Sequence, residues 1–211
     1  MTDSGLSVQA QSWSRGSAPG ALKGLKGARL PAWLLNGLQA DWPQDGGHPA
    51  LADIFWEQGR ITQITPHLHH RANSEQLWDV SGLLVLPGLV DAHLHLDKTF
   101  TLARMGQIRP GLLAAIEAMM IDRRSWTDQD IRARAQLALE MAHAAGVSRA
   151  RTHCDWWEAD VVPKAWPVLK ELAQDWSGRI SLQQVCLVPL HLYAQVDVAM
   201  RIARIVADSG K

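Results

Sequence analysis

Residues 83–90 read LLVLPGLV, a run without a charged side chain, and the segments that follow alternate between short apolar stretches and amphipathic helical patterns. Successive apolar positions are expected where a strand is covered on both faces, the condition of parallel strands joined by helical crossovers. The order after residue 83 is strand, helix, strand, helix, strand, helix, which predicts an α/β chain with a parallel sheet and right-handed connections. A helical stretch over 112–122 precedes the first long helix. That helix is expected to start at Thr127, with Asp130 as capping-box partner, and to stop at Gly146. Ile131, Ala135, Ala138, Ala142 and Ala145 make its apolar stripe, narrow enough to lie close on a sheet. The second strand is expected over 148–154. The second helix carries Trp166, Leu169, Ala173 and Trp176 on one face, and Pro167 limits how early it begins. A third strand over 179–188 and a third helix over 195–207, stopped by Gly210, complete the pattern.

Before residue 83 the grammar differs. The sequence around Gln58-Gly59-Arg60 has alternating apolar residues on both sides of a glycine turn, which predicts a hairpin within a small β domain over 22–82. Residues 1–21, rich in Ser, Gly and Gln, are expected to form a flexible tail. The expected organisation is therefore a tail over 1–21, a β domain over 22–82 and three βα units over 83–211. An eight-unit barrel takes about 250 residues, and about half of that follows the boundary. Three open strands would leave an inner face and an edge uncovered, so the chain is expected to be incomplete or to need a complementary chain.

Composition narrows the partners. Basic and acidic residues number 21 each, which supplies no long-range field for nucleic acid or an anionic membrane. No stretch approaches the roughly 20 apolar residues of a membrane span, and no apolar signal core opens the chain. Cys154 and Cys186 fall on segments expected to be adjacent strands, where buried reduced thiols suit a cytoplasmic protein.

On a strand, positions two apart share a face, so His93 and His95 project together, with Asp91 and Asp97 on the same side and Leu94 and Leu96 facing the helices. Two neutral imidazoles aimed at one point are a ligand pair for one divalent metal, zinc or iron(II). They also fall at the end of the first strand, where barrel enzymes carry their chemistry. Pro66-His67-Leu68-His69-His70 offers similar side chains but lies in a polar stretch without strand grammar, and surface histidines are expected there.

The segment Pro87-Gly88-Leu89-Val90-Asp91-Ala92-His93-Leu94-His95-Leu96-Asp97 resembles the first-strand signature of the amidohydrolase superfamily. Its continuation Leu96-Asp97-Lys98-Thr99 is similar to the cytosine deaminase branch, as is Arg151-Thr152-His153-Cys154-Asp155 at the second strand. The resemblance covers residues 25–211. It implies the first three βα units of a TIM-barrel amidohydrolase, preceded by part of a small β-sandwich domain. It implies hydrolytic deamination of a small-molecule cyclic amidine by metal-activated water, with His93 and His95 as the first two metal ligands. The other ligands and the proton-shuttling Glu of the family would lie beyond Lys211. No catalytic acid or base is therefore expected within this chain, and turnover by it alone is not expected.

His153 and Asp155 end the second strand near the same mouth and are expected to orient a ligand or to brace a loop. Trp156 or Trp157 would offer a ring face to a planar heterocycle. The third strand is expected to end Val188-Pro189-Leu190-His191, where the branch tends to have a glutamine that reads the pyrimidine edge. Leu190 cannot make those hydrogen bonds, which favours a triazine, another pyrimidine or an N-alkyl cyclic amidine over cytosine, with His191 standing in for the amide. Lys98 does not match the bridging lysine of binuclear relatives, which comes from a later strand. The resemblance leaves room for a homo-oligomer of the full-length enzyme. A dihydroorotase-like branch and a non-catalytic half barrel are the alternative readings.

Overall fold

The computed structural model describes residues 22–38, 42, 44–45, 48–49, 51–67 and 76–209. The tail over 1–21, His69, His70 and Gly210 lie outside the described residues. The chain divides into two compact units, the first ending at Pro87 and the second beginning at Gly88.

In the first unit, strands β1 (Gly24–Ala28), β4 (Ala52–Glu57), β5 (Arg60–Pro66) and β6 (Leu77–Asp79) form one sheet in the order β5-β4-β1-β6, and the short β2 (Gln44–Asp45) and β3 (His48–Pro49) pair separately. The hairpin expected around Gln58-Gly59 is the antiparallel β4–β5 pair. Its two turn residues both have positive φ, 49° and 77°, the backbone that a tight two-residue turn needs to match strand twist. Ala28, Leu30, Leu35, Ala52, Ile54 and Val80 make its core. His67 departs from the surface role expected of it. Its Nδ1 lies 2.7 Å from Oδ1 of the buried Asp53, which also accepts the Gly27 N–H.

The apolar run at 83–90 does not behave as a single covered strand. Arg29 and Leu84 form a parallel bridge, and the Val85 N–H donates to the Arg29 carbonyl, so the first part of the run completes the small unit. Pro87 lacks an N–H for a ladder, and strand pairing resumes only at Leu89. Leu84 and Val90 are more than 60% exposed.

The second unit is built on β7 (Leu89–Leu94), β8 (Val147–Asp155) and β9 (Ser181–Leu187), parallel and adjacent in that order. The crossovers carry α1 (Leu112–Asp122) and α2 (Asp128–Ala144), then α3 (Ala165–Asp175); α4 (Leu190–Tyr193) and α5 (Val196–Ser209) follow β9. Thr127 caps α2 by accepting the Asp130 N–H, as its sequence requires. The Asp130 carboxylate turns instead to Arg104 and Arg134. The buried face of α2 is Ile131, Arg134, Ala135 and Leu139, whereas Ala145 is exposed at the helix end. Along β8, Ala150, Thr152 and Cys154 are buried against α2 and α3, and Arg149, Arg151 and His153 take the other face. Leu96, Leu139, Leu169, Leu172, Trp156 and Ile180 fill the core between sheet and helices.

Gly88, just before β7, lies close against Ser148 of β8. A Cβ there would lie 2.4 Å from Ser148 Oγ and 2.6 Å from Ser148 Cβ, so only glycine lets β7 start beside β8. Gly88→Ala is expected to cost about 1–3 kcal/mol through overpacking. Gly88→Ala combined with Ser148→Gly should recover most of the loss in a urea titration; no recovery would contradict the steric cause.

Candidate metal centre

The end of β7 is held beside the end of β8 by two hydrogen bonds. The Leu96 N–H donates to Thr152 Oγ1 at 3.0 Å, and the Asp155 N–H donates to Asp97 Oδ2 at 3.0 Å. Arg134 moors the same loop to α2 by donating to the carbonyls of Asp97 and Thr99, at 3.0 and 2.8 Å, with its guanidinium 5.0 Å over the Trp126 ring. The consequence is a fixed cluster at the C-terminal ends of two parallel strands.

His93 Nε2 and His95 Nε2 lie 3.3 Å apart. Two nitrogens on adjacent corners of a tetrahedron with bonds of about 2.0–2.1 Å are separated by about 3.3–3.4 Å, so the pair has the span of one edge of a zinc site. His153 stacks on His93 with ring centroids 3.9 Å apart and planes 19° from parallel. Lone pairs in near-parallel planes do not converge, so His153 braces His93 and does not join it as a ligand to one ion.

Behind His95 stand two carboxylates. Its Nδ1 is 3.8 Å from both Asp97 Oδ1 and Asp155 Oδ1, beyond hydrogen-bond length. His95 Nδ1, Asp97 Oδ1 and His153 Nδ1 are buried without a hydrogen-bond partner. His95, Asp97 and Asp155 bring their ligand atoms within 4.8 Å of one another and so form a second cation position in principle. Lys98 Nζ already sits 2.8 Å from Asp155 Oδ2, and its charge opposes another cation on that side. The imidazole pair is the better seat, with two carboxylates near the Nδ1 side of His95.

The electrostatics fit this division. Burial, followed by the Lys98 charge, lowers the His95 pKa, which favours the neutral ring that a metal requires. Burial raises the Asp97 carboxyl to about 6, with the Asp155 N–H working against it and the Asp155 charge adding to it. Cys154 and Cys186 are both free, and burial pushes each thiol up, Cys186 to about 12, which leaves them protonated and inert.

Asp97 therefore weakens the metal-free fold at neutral pH. A carboxyl whose folded pKa exceeds its unfolded value carries no penalty below about pH 3.8, and the penalty grows between there and about pH 6 and is constant above. Asp97→Asn, measured in chelator, is expected to stabilise the fold on the order of 2–3 kcal/mol at pH 7 and by almost nothing near pH 3.5. Urea titrations at the two pH values check this; destabilisation at pH 7 would contradict it.

Of the residues singled out from sequence, His93, His95, His153 and Asp155 come together. Asp91 does not join them. The register shifts between Asp91 and Leu94, and the Asp91 carboxylate accepts the His93 N–H. Trp156 is 0% exposed and packs edge to face on Trp166, so it belongs to the core and presents no stacking surface. His191 and Leu190 do not end a strand. Pro189 starts the short α4, on which both are exposed. Lys98 and Arg134 carry more of the arrangement than the sequence suggested. The signal for Lys98 was its place next to Asp97, whereas Arg134 is hidden in a helix face read as apolar.

A three-stranded parallel sheet with helical crossovers thus carries paired imidazoles at the C-terminal ends of its strands. No family model matches the chain. Over 163 residues it is 29% identical to the pterin deaminase of Rhizobium rhizogenes, an alignment covering 75% of this chain and 36% of that protein. A stretch of 86 residues, 41% of this chain and 19% of the relative, is 36% identical to the dihydroorotase of Geobacillus thermodenitrificans. The solved structure of 5-methylcytosine deaminase from Klebsiella pneumoniae, liganded with phosphonocytosine, matches with a TM-score of 0.66 and 25% identity, over 87% of this chain and 41% of that one. Its homologues and structural neighbours are deaminases and hydrolases of the amidohydrolase superfamily. The chain spans 36% of the pterin deaminase and 41% of the 5-methylcytosine deaminase chain. No described helix is long and apolar enough to cross a membrane.

Proposed function

We propose that this chain carries the first part of the active site of a metal-dependent hydrolase that removes an amino group from a cyclic amidine within a small heterocycle. The observation that carries the reading is the 3.3 Å approach of His93 Nε2 to His95 Nε2 at the C-terminal ends of parallel strands. In this reading β7, β8 and β9 are the first three strands of a TIM barrel, and the preceding unit is part of a β-sandwich domain.

His93 and His95 would hold one divalent ion, zinc or iron(II), and an ion bound there would supply the Lewis acidity that activates water. The Asp97 and Asp155 carboxylates, 3.8 Å from His95 Nδ1, would attract a proton to that nitrogen by charge alone and so leave the Nε2 lone pair to bind. Lys98 fixes Asp155, and His153 fixes the plane of the His93 ring by stacking. A catalytic zinc site ordinarily takes three protein ligands and a water, so at least one ligand comes from outside the described residues, as does the group that moves the proton. The 211 residues alone are expected not to turn over.

The substrate class in this reading is a small heterocycle that carries a cyclic amidine. The neighbours' substrates, pterin and 5-methylcytosine, support this class. The dihydroorotase likeness supports a second reading, ring opening of a cyclic amide, which releases no ammonia. A chimera in which this chain replaces the corresponding segment of the Rhizobium rhizogenes pterin deaminase separates the two. The expected result is ammonia release from pterin that disappears with His93→Ala. A folded, metal-loaded chimera that releases no ammonia from pterin or 5-methylcytosine would overturn the deaminase reading.

A further inference from the structure

The face that α2 turns to the core is apolar at Ile131, Ala135 and Leu139, and among them stands one charged side chain, Arg134, which is 8% exposed. A buried charge is costly to desolvate, and an apolar residue of similar volume in such a place is often neutral or stabilising. The reason for the charge lies in what its donors reach. Nη1 donates to the carbonyls of Asp97 and Thr99, and Nε and Nη2 donate to Asp130 Oδ2 at 3.1 and 3.0 Å. Asp130, in the first turn of α2, takes a second arginine on the same carboxylate. Arg104 donates to it at 2.7 and 3.1 Å, and to Asp122 at the end of α1 at 2.8 and 3.0 Å. The segment 97–104 is therefore clamped at both ends by two arginines that share Asp130.

What the clamp holds is the backbone beside the imidazole pair. Thr101 Oγ1 donates to the Lys98 carbonyl at 2.9 Å, so the carbonyls of Asp97, Lys98 and Thr99 are each fixed by a side chain. Phe100 follows with a φ of 58°, a backbone that a bulky residue keeps only where its surroundings over-determine it. We propose that Asp130 and Arg134 are positioning residues of the metal centre. Through the Asp97 and Thr99 carbonyls they set where the loop after β7 places Asp97 and Lys98, and so the surroundings in which His95 meets an ion. That the ion serves a hydrolase rests on the reading above, whereas the clamp is read from metal affinity and needs no turnover.

The test is zinc competition with a chromogenic chelator, together with amide exchange of the chelator-treated chain. Arg134→Ala is expected to weaken zinc about tenfold or more. It should also speed exchange of the Asp155 N–H, which donates to Asp97 Oδ2, by about tenfold relative to amides in the middle of β8. Low-millimolar guanidinium ion should restore both readouts, because it presents the same planar fork. Arg134→Lys should restore neither, because one ammonium cannot span two carbonyls and a carboxylate. Asp130→Asn removes the charge that both arginines share and keeps the capping N–H, and it should weaken zinc about threefold or more. Arg132→Ala, which breaks an ion pair between α2 and α3, should bind zinc as the parent does. Parent affinity in a folded Arg134→Ala or in Asp130→Asn, full recovery by Arg134→Lys, or an equal loss in Arg132→Ala would overturn the inference. Zinc affinity that depends on Arg134, beside a chimera that releases no ammonia, overturns only the hydrolase reading. Ammonia release with zinc affinity indifferent to Arg134 overturns only the clamp.

Discussion

Zinc affinity is expected to fall about 100- to 1,000-fold when either His93 or His95 becomes alanine. A four-ligand structural zinc site contributes about 10–16 kcal/mol, or roughly 2.5–4 kcal/mol for each ligand, and each of these histidines would supply one ligand. The two variants should lose affinity to a similar degree, because the Nε2 atoms are equivalent corners of one edge. Asp97→Asn should lose less, about 10- to 100-fold, since it orients His95 from behind. His191→Ala, at an exposed position on α4, should bind zinc as the parent does. Competition with a chromogenic chelator measures all four. Equal affinity in His93→Ala and parent would remove the imidazole pair from the account.

The second large effect is on stability. Trp156→Ala is expected to cost about 3–5 kcal/mol, a large part of the 5–15 kcal/mol that holds a domain together. The side chain is fully buried and its ring meets Trp166 at 5.5 Å and 68°, whereas the backbone N–H of Trp156, which donates to the Leu187 carbonyl, is kept in the alanine variant. Its indole Nε1 has no hydrogen-bond partner. Trp156→Phe keeps most of the ring and discards that unsatisfied donor, so it should cost far less than the alanine change. Thermal unfolding of the two variants side by side checks this. A loss for phenylalanine as large as that for alanine would mean that the indole nitrogen has a role of its own.

Much of this arrangement was legible in the sequence because it depends on local pattern. Thr127 and Asp130 announce the start of α2, Gln58-Gly59 announces a turn, and the spacing of two in His93-Leu94-His95 puts both rings on one side. What was not legible depends on partners distant in the chain. The run at 83–90 looks like one strand until Arg29 is known to bridge Leu84. Trp156 and Trp157 are equivalent as letters, and only the position of Trp166 sends the first into the core. Asp97 reads as another residue on the histidine face, but its cost comes from burial against the end of β8, which no sequence spacing encodes. Arg134 breaks an apolar stripe for a reason found 35 and 37 residues upstream, at the carbonyls of Thr99 and Asp97.

X-ray absorption on the zinc-loaded chain tests the metal centre most directly. Two imidazole nitrogens at about 2.0–2.1 Å, reduced to one in His93→Ala, are the predicted result. A shell of one imidazole with carboxylate oxygens, unchanged by His93→Ala, would instead seat the ion among His95 Nδ1, Asp97 and Asp155 and contradict the paired-imidazole site.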